Sequence, residues 1–258
     1  MKMHLKNNPG HCSNYAAMWS IKRLVLLHIA AAVLLLSWLF EPGRGLWLTV
    51  DEAVFRLFND SLKSGNDAWR MLWAVANHRL FDIAAILALA SVFVASGLRN
   101  RHIGWLWHFS TITLTALAAL LATQLGHLLS IERASGTVIY AHTFHLSEWA
   151  TFKTKDIAYS TFPGDHGMVA FVWVACVFYY LERRYRIPAV IAALISVTPR
   201  LVGGAHWLSD ELVGAGFVTL IVVAWLFSTP LAASMLEKIQ NFWARVARVI
   251  RHVKCSPG

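Results

Sequence analysis

The sequence predicts an all-α membrane protein with six transmembrane helices, short periplasmic interfacial helices and a basic amphipathic C-terminal helix. Two observations predict this class. Of the 258 residues, 57% are hydrophobic and only 14% are charged, whereas soluble domains usually carry about 25% charged residues. The apolar residues also form long blocks instead of the amphipathic spacing of soluble helices, which indicates a bilayer as the solvent.

Six blocks are long enough to cross a bilayer, since a spanning helix needs about 20 mostly apolar residues. They cover residues 24–40, 80–98, 103–128, 166–182, 187–206 and 211–229. Helix is the expected structure because backbone groups that face lipid must be hydrogen-bonded within their own segment. The first block is not followed by a small-residue cleavage site, so we expect it to stay as a span. The fifth block contains Pro199 and Gly203-Gly204 and should break near its outer end.

The charges between the blocks predict the orientation. With a cytoplasmic N-terminus, the cytoplasmic regions hold 14 of the 23 basic residues and two of the 14 acids. The short connections 99–101 and 183–186 decide this orientation, because basic residues close to spans stay inside. Both termini are therefore expected in the cytoplasm. This topology explains the net charge of +9 without a nucleic-acid partner.

The regions outside the blocks have their own patterns. Helical periodicity at 51–62 and 68–77 predicts short helices at the outer interface. The tail has an apolar face and a basic remainder, which predicts a helix on anionic cytoplasmic lipid; a partner-binding helix is the alternative. The expected domains are a six-helix catalytic membrane domain, residues 1–231, and a cytoplasmic amphipathic tail, residues 232–258.

The first cluster of chemical interest leads into the fourth block and reads Phe-Pro-Gly-Asp-His-Gly at 162–167. Gly164 would let the backbone approach a ligand closely, and the free N–H groups of the helix start would face an anion. His166 lies at that helix start. The alternative is a simple helix cap with Asp165 as the N-cap.

The second cluster contains Arg200, His206 and Asp210. His206 and Asp210 are four residues apart and would share a face of a helix. A carboxylate on one imidazole nitrogen fixes the tautomer and leaves the other nitrogen free to attack. Arg200 offers a planar fork of donors that matches phosphate oxygens. The alternative is an ordinary group of interfacial side chains that closes a helix hairpin.

The third cluster is Glu132-Arg133-Ala134-Ser135, past the third block, where Arg133 alone would be an ordinary flanking arginine. Together the clusters bring two histidines and two arginines to the periplasmic side, without the group of carboxylates that magnesium needs. This combination suits phosphoryl transfer without a metal or other cofactor. One histidine would attack phosphorus and the other would protonate the leaving oxygen.

The order of Arg133, then Pro163 to His166, then Arg200, His206 and Asp210 resembles the three-part signature of the type 2 phosphatidic acid phosphatase superfamily. The Arg-x5-His-x3-Asp spacing is its most specific part. The match is closest to the lipid A phosphotransferase branch and runs from about residue 24 to 231. Its further segments are Thr123 to Gly126, Arg133 to Ser135, Thr154 to Asp156, Phe162 to Met168 and Gly204 to Trp207.

The resemblance implies roles for individual residues. His206 would be the nucleophile that becomes a phosphohistidine, with Asp210 orienting it and His166 as the general acid. Arg133 and Arg200 would hold the phosphoryl oxygens. It further implies transfer of the terminal phosphoryl group of undecaprenyl pyrophosphate to the 1-phosphate of lipid A, in the inner membrane of a Gram-negative bacterium.

The chain departs from the broader superfamily pattern in the first motif, where Gly126 stands in place of a lysine and Ala134 in place of a proline. Lys155 or Lys153 is our candidate for the replacing cation, and a solvated loop lysine is the alternative. His127 is a further candidate for an approach to the site. Asp82 is interpreted as the interfacial partner of Arg79.

Two other functions stay open at this stage. A hydrolase would use the same residues and pass the phosphoryl group to water. A lipid-binding or transport protein would use the arginines only to hold head groups, although it would need neither His166 nor His206.

Overall fold

The computed structural model describes residues 19–129 and 131–254. The predictions for the first 18 and last four residues therefore lie outside the described residues. The described part is all helical, as predicted, and its only strand-like feature is an isolated antiparallel bridge between Ile131 and Phe162.

Eleven α-helices follow one another along the described residues. They are α1 Ile21–Leu39, α2 Gly43–Ser64, α3 Asp67–Ala76, α4 Arg79–Arg99, α5 Trp105–His127, α6 Gly136–Ile139, α7 Leu146–Trp149, α8 Asp165–Tyr180, α9 Arg186–Val202, α10 Gly216–Ser228 and α11 Leu231–Lys254. A 3₁₀ turn, Arg183–Tyr185, precedes α9, and a π-helical turn, Asp210–Ala215, leads into α10.

Five helical segments are long and apolar enough to cross a membrane: α1, α4, α5, α9 with its preceding turn and α10 with its preceding turn. The chain is therefore a multi-pass membrane protein. The fourth predicted span corresponds to α8, which is apolar but only 16 residues long. A sixth span thus stays a prediction.

The centre of the bundle is formed by α8, which packs against α5, α9 and α10. Its Met168, Trp173 and Cys176 are buried, and Trp173 meets Phe93 of α4 edge to face. In contrast, α1 buries only Ala31 and Trp38, and most of its other large apolar side chains are exposed. Such a surface suits lipid and would be costly in water. Because α8 lies at the centre of the bundle, side chains in its first turn lie close to residues of the neighbouring helices, where the candidate site is formed.

The fifth predicted span breaks near its outer end, as expected, but at Gly203-Gly204 and not at Pro199. Helix α9 continues through Pro199 and stops at Val202, and Gly204 then adopts a φ of +77°. A left-handed residue of this kind favours glycine because glycine has no Cβ to clash. His206 consequently lies in a turn and not in a helix. The prediction that His206 and Asp210 share a helical face is wrong for this reason.

The segments outside the bundle are more ordered than predicted. The first expected interfacial helix is part of the 22-residue α2, whose Asn59 side chain both donates to and accepts from the backbone of Phe144 in the 130–165 loop. In α11, Leu236 is buried in the main core and Trp243 Nε1 donates to Thr113 of α5. Part of the apolar face of α11 therefore packs against the bundle.

Candidate active site

The predicted catalytic residues meet at one end of the bundle, where α4 and α8 begin and α9 ends. His166 lies in the first turn of α8, and Arg200 lies in the last turn of α9. His206 lies in the turn that follows. The ring centroids of His166 and His206 are 6.5 Å apart. The two imidazoles are thus close enough to face a single group placed between them.

The tautomer of His206 is set by the backbone. Its Nδ1 lies 2.9 Å from the carbonyl oxygen of Thr161, and this contact is a hydrogen bond only if Nδ1 carries the proton. The lone pair is then on Nε2, the nitrogen that could attack. Asp210 Oδ2 is 3.7 Å from Nδ1, too far for a good hydrogen bond. The carboxylate therefore acts on His206 mainly through its charge.

The charges around His206 alter its proton affinity. Burial lowers the pKa of the imidazole, but the Asp210 side chain and the charge of Glu211 outweigh this effect, so the pKa is raised above its ordinary value. The Asp210 carboxylate is fixed by groups other than His206, since it accepts hydrogen bonds from Trp207 N at 2.7 Å and from Arg133 at 2.6 Å. A fixed carboxylate keeps its charge at a constant distance from the ring.

Arg200 is almost completely buried, with 2% of its surface exposed, and each guanidinium nitrogen has a protein partner. Its Nε donates to His166 Nε2 at 3.2 Å, and its second terminal nitrogen pairs with Asp82. The first terminal nitrogen donates to both oxygens of Asn77, at 3.1 and 3.3 Å. A buried arginine needs such partners because an unpaired charge there is costly.

Asp82 does not serve as a simple interfacial partner of Arg79, and that interpretation is wrong. Its carboxylate contacts Arg200, His166 Nε2 at 3.2 Å and Lys155 Nζ at 3.0 Å. Both candidate cations, Lys153 and Lys155, are exposed, and Lys155 is the one whose ammonium group contacts this cluster. The signal available in the sequence was an acid in the first turn of an apolar span, at the predicted outer side.

Arg133 is brought to Asp210 and not to the histidines. One terminal nitrogen contacts Asp210 and Ser209, and the other contacts Asp51 of α2 at 2.6 Å. Asp51 is 1% exposed and also accepts from the backbone N–H of Ser209 at 2.8 Å. Sequence reasoning missed Asp51, since nothing local indicates a partner 82 residues away. The guanidinium also lies over the ring of Trp207.

Gly164 allows a close approach, but by another part of the chain. A Cβ at this position would collide with the side chain of Glu211, and the same is true at Gly167. Glu211 is 1% exposed, and among the described residues neither of its oxygens has a hydrogen-bond partner by distance and angle. The start of α8 therefore packs on a buried carboxyl that sequence reasoning did not single out.

A cavity of about 510 Å³ opens beside these groups. It is lined by Gly126, His127, Glu132, Ser160, Phe162, Pro163, Asp165 and His206. His127 Nε2 lies 3.2 Å from Asp165, so both predicted neighbours of the site border this space. The cavity gives a ligand access to the ring of His206. In the described part of the chain, no group of three or more His, Cys, Asp or Glu side chains could hold a metal ion.

Comparisons with known proteins agree with the geometry. The sequence profile described as the PAP2 superfamily matches residues 107–232, a stretch that contains all the predicted catalytic residues. The chain is 32% identical over 218 residues to lipid A 1-diphosphate synthase of Escherichia coli (strain K12), covering 84% of this chain and 92% of that protein. No solved structure matches the chain. The chain therefore belongs to the PAP2 superfamily, which confirms the resemblance of its motifs, and is an enzyme of the phosphatase and phosphotransferase type.

Proposed function

We propose that the protein transfers the terminal phosphoryl group of undecaprenyl pyrophosphate to the 1-phosphate of lipid A, by way of a phosphohistidine on His206. The observation that carries this proposal is the pair of imidazoles, 6.5 Å apart, with Arg200 in contact with one of them. The similarity to lipid A 1-diphosphate synthase supports lipid A as the acceptor, and the donor is the one that the resemblance of the motifs implies.

The proposed reaction has two steps. First, His206 Nε2 attacks the terminal phosphorus, a P–N bond forms, and the bond to the bridging oxygen breaks. Undecaprenyl phosphate leaves, with His166 as the acid that can protonate it. Second, an oxygen of the lipid A 1-phosphate attacks the phosphohistidine, a P–O bond forms, the P–N bond breaks, and its electron pair returns to Nε2 of His206. The acceptor is already an anion at neutral pH, so the second step needs no strong base.

The remaining groups have supporting roles in the proposal. Arg200 binds the phosphoryl oxygens as they gain charge, and Arg133 acts either on the phosphate or through Asp210, which it contacts. Lys155, Gly164 and Asp165 lie around the same end of the bundle. No metal is required, because the arginines and the protonated imidazole supply the positive charge.

The proposed placement follows the charge distribution. Both termini lie in the cytoplasm of a bacterial inner membrane, α8 acts as the sixth span, and the site faces the periplasm. Helix α8 can be short because it lies among other helices. Residues 1–231 form the catalytic membrane domain, and 232–258 form the amphipathic tail.

The test is a transfer assay in EDTA with undecaprenyl pyrophosphate labelled at the terminal phosphorus. Label should move to lipid A when acceptor is present. Recovery of the label mainly as inorganic phosphate, despite acceptor, would show the alternative function, a lipid pyrophosphate phosphatase that uses the same residues.

A second experiment tests the intermediate. Donor alone should give an acid-labile phosphorylated protein that disappears on addition of lipid A, and His206→Ala should abolish it. The matched control is His102→Ala, which removes an exposed imidazole after the opposite end of α4 and should leave labelling unchanged. Full turnover in His206→Ala would rule out the phosphohistidine.

A further inference from the structure

Asp82 is a carboxylate at the centre of a cationic cluster. It lies in the first turn of α4 and contacts Arg200 of α9, His166 of α8 and Lys155 of the preceding loop. These three groups come from three different parts of the chain. Two are the predicted phosphate ligand and the predicted general acid, and the third is the candidate cation of the first motif.

The contacts of Arg200 leave little room for a ligand. All three guanidinium nitrogens contact protein groups, and the side chain is 2% exposed. A phosphoryl oxygen can approach this fork closely only by taking the place of one of its partners. Two of these partners, Asn77 and Asp82, present oxygen atoms to the guanidinium.

Asn77 is a poor candidate for exchange. It is completely buried, and its amide nitrogen also donates to the carbonyl of Pro199 at 2.7 Å. The Asp82 side chain is 22% exposed. Its two oxygens, which carry a negative charge and accept hydrogen bonds, are also chemically the nearest protein equivalent of two phosphoryl oxygens. Asp82 is therefore the partner that a phosphate group can reach and replace.

We propose that Asp82 occupies the phosphoryl position in the substrate-free protein and releases Arg200, His166 and Lys155 when a phosphate group binds. The exchange rests on the proposed function for the identity of the ligand, a lipid phosphate. It also changes the partners of His166 Nε2, which accepts from Arg200 only without a proton and donates to Asp82 only with one; after the exchange this nitrogen, once protonated, can face the leaving oxygen as the acid. Asp82 is thus a positioning residue that competes with substrate.

The test measures binding of inorganic pyrophosphate to the purified full-length protein in detergent, without turnover. Asp82→Asn keeps the shape and an acceptor oxygen but removes the competing charge. We expect its dissociation constant to fall by about tenfold or more, because a unit charge at contact distance contributes at least this much at an effective dielectric of about 20. Asp82→Glu keeps the charge and should stay within about threefold of the unchanged protein.

The matched control is Asp60→Asn, which removes an acid from an exposed pair with Lys63 on α2 and should not change the binding. Unchanged or weaker pyrophosphate binding by folded Asp82→Asn overturns the exchange. In turnover assays the exchange predicts a lower KM for the donor lipid, whereas a merely structural role would lower kcat alone.

A measurement on the unchanged protein covers the case in which Asp82→Asn does not fold. A hydrophobic carbodiimide labels accessible carboxyl groups, and the labelled residue is identified by mass spectrometry. Pyrophosphate should accelerate labelling of Asp82 by releasing it from its three cations; slower or unchanged labelling overturns the proposal. Neither readout involves phosphoryl transfer, so a failure of the proposed reaction in the labelled-donor assay is recognised separately.

Discussion

Replacing Asp51 by alanine should lower the free energy of unfolding more than the same replacement of an exposed acid. Asp51 nevertheless touches no substrate in the proposed reaction. Its carboxylate accepts hydrogen bonds from the Ser209 N–H, the Ser209 hydroxyl and Arg133. The variant removes both acceptor oxygens, and with them all three hydrogen bonds, and leaves the Arg133 guanidinium with Asp210 as its remaining carboxylate.

The expected loss is about 3 kcal/mol in the free energy of unfolding. Breaking a buried ion pair from one side costs about 3–5 kcal/mol, because the other charge stays buried without its partner. The lower end applies here, since Arg133 is 11% exposed and keeps its contact with Asp210. Turnover should fall as well, because Ser209 and Arg133 both hold the segment that carries Asp210.

The assay is equilibrium unfolding in mixed detergent micelles, with Glu52→Ala as the matched control. Glu52 is the next residue along α2 and pairs with Arg56, but these side chains are 44% and 58% exposed. Such a pair contributes less than about 1 kcal/mol. Equal losses in the two variants would refute the assignment of a buried network to Asp51.

Three other substitutions test the site. Asp210→Asn removes a charge that raises the pKa of His206. Because His206 stops attacking once it is protonated, the fall of kcat/KM on the acid side of the pH profile should move to lower pH. An unchanged profile would contradict this. Gly164→Ala should cost about 1–3 kcal/mol in thermal unfolding, because its new Cβ collides with Glu211, and Glu211→Ala in the same chain should recover part of that loss. Arg200→Lys cannot replace the contacts of the planar fork and should lower kcat/KM by about 100-fold in the labelled-donor assay; a loss below about tenfold would argue against its role.

The fold was largely predictable because the bilayer imposes a local pattern. Each apolar block corresponds to a helix; α4 begins and ends within a residue of its predicted bounds, and α10 ends within a residue of its predicted end. The bound of the fifth block at residue 206 was an error, because hydropathy continues past the break that Gly203-Gly204 predicted and that the structure shows after Val202. That error also placed His206 in a helix and predicted a hydrogen bond to Asp210. In the structure, Nδ1 of His206 instead forms its hydrogen bond with the carbonyl oxygen of Thr161.

The site was predictable only as far as its motifs reach. His166, Arg200, His206 and Asp210 lie in short segments with characteristic spacing, and the structure brings them together. Asp51 and Asp82 are single acids whose partners lie between 73 and 158 residues away. Contacts of this kind depend on tertiary packing, and no spacing within one segment predicts them.

Asn77 has a consequence for the order in which the protein matures. Its backbone and side chain receive Arg200 at the end of α9, and its carbonyl also accepts from the N–H of Lys155. Residue 77 is synthesised long before residue 200, yet Arg200 can donate to the two uncharged oxygens of Asn77 only after the segments that carry them have packed together. Since a bare guanidinium is costly in the bilayer, docking of the fifth span onto the α3–α4 junction should come late in assembly. In a newly made chain, Arg200 then reaches its phosphate-binding position only when the other helices are already packed.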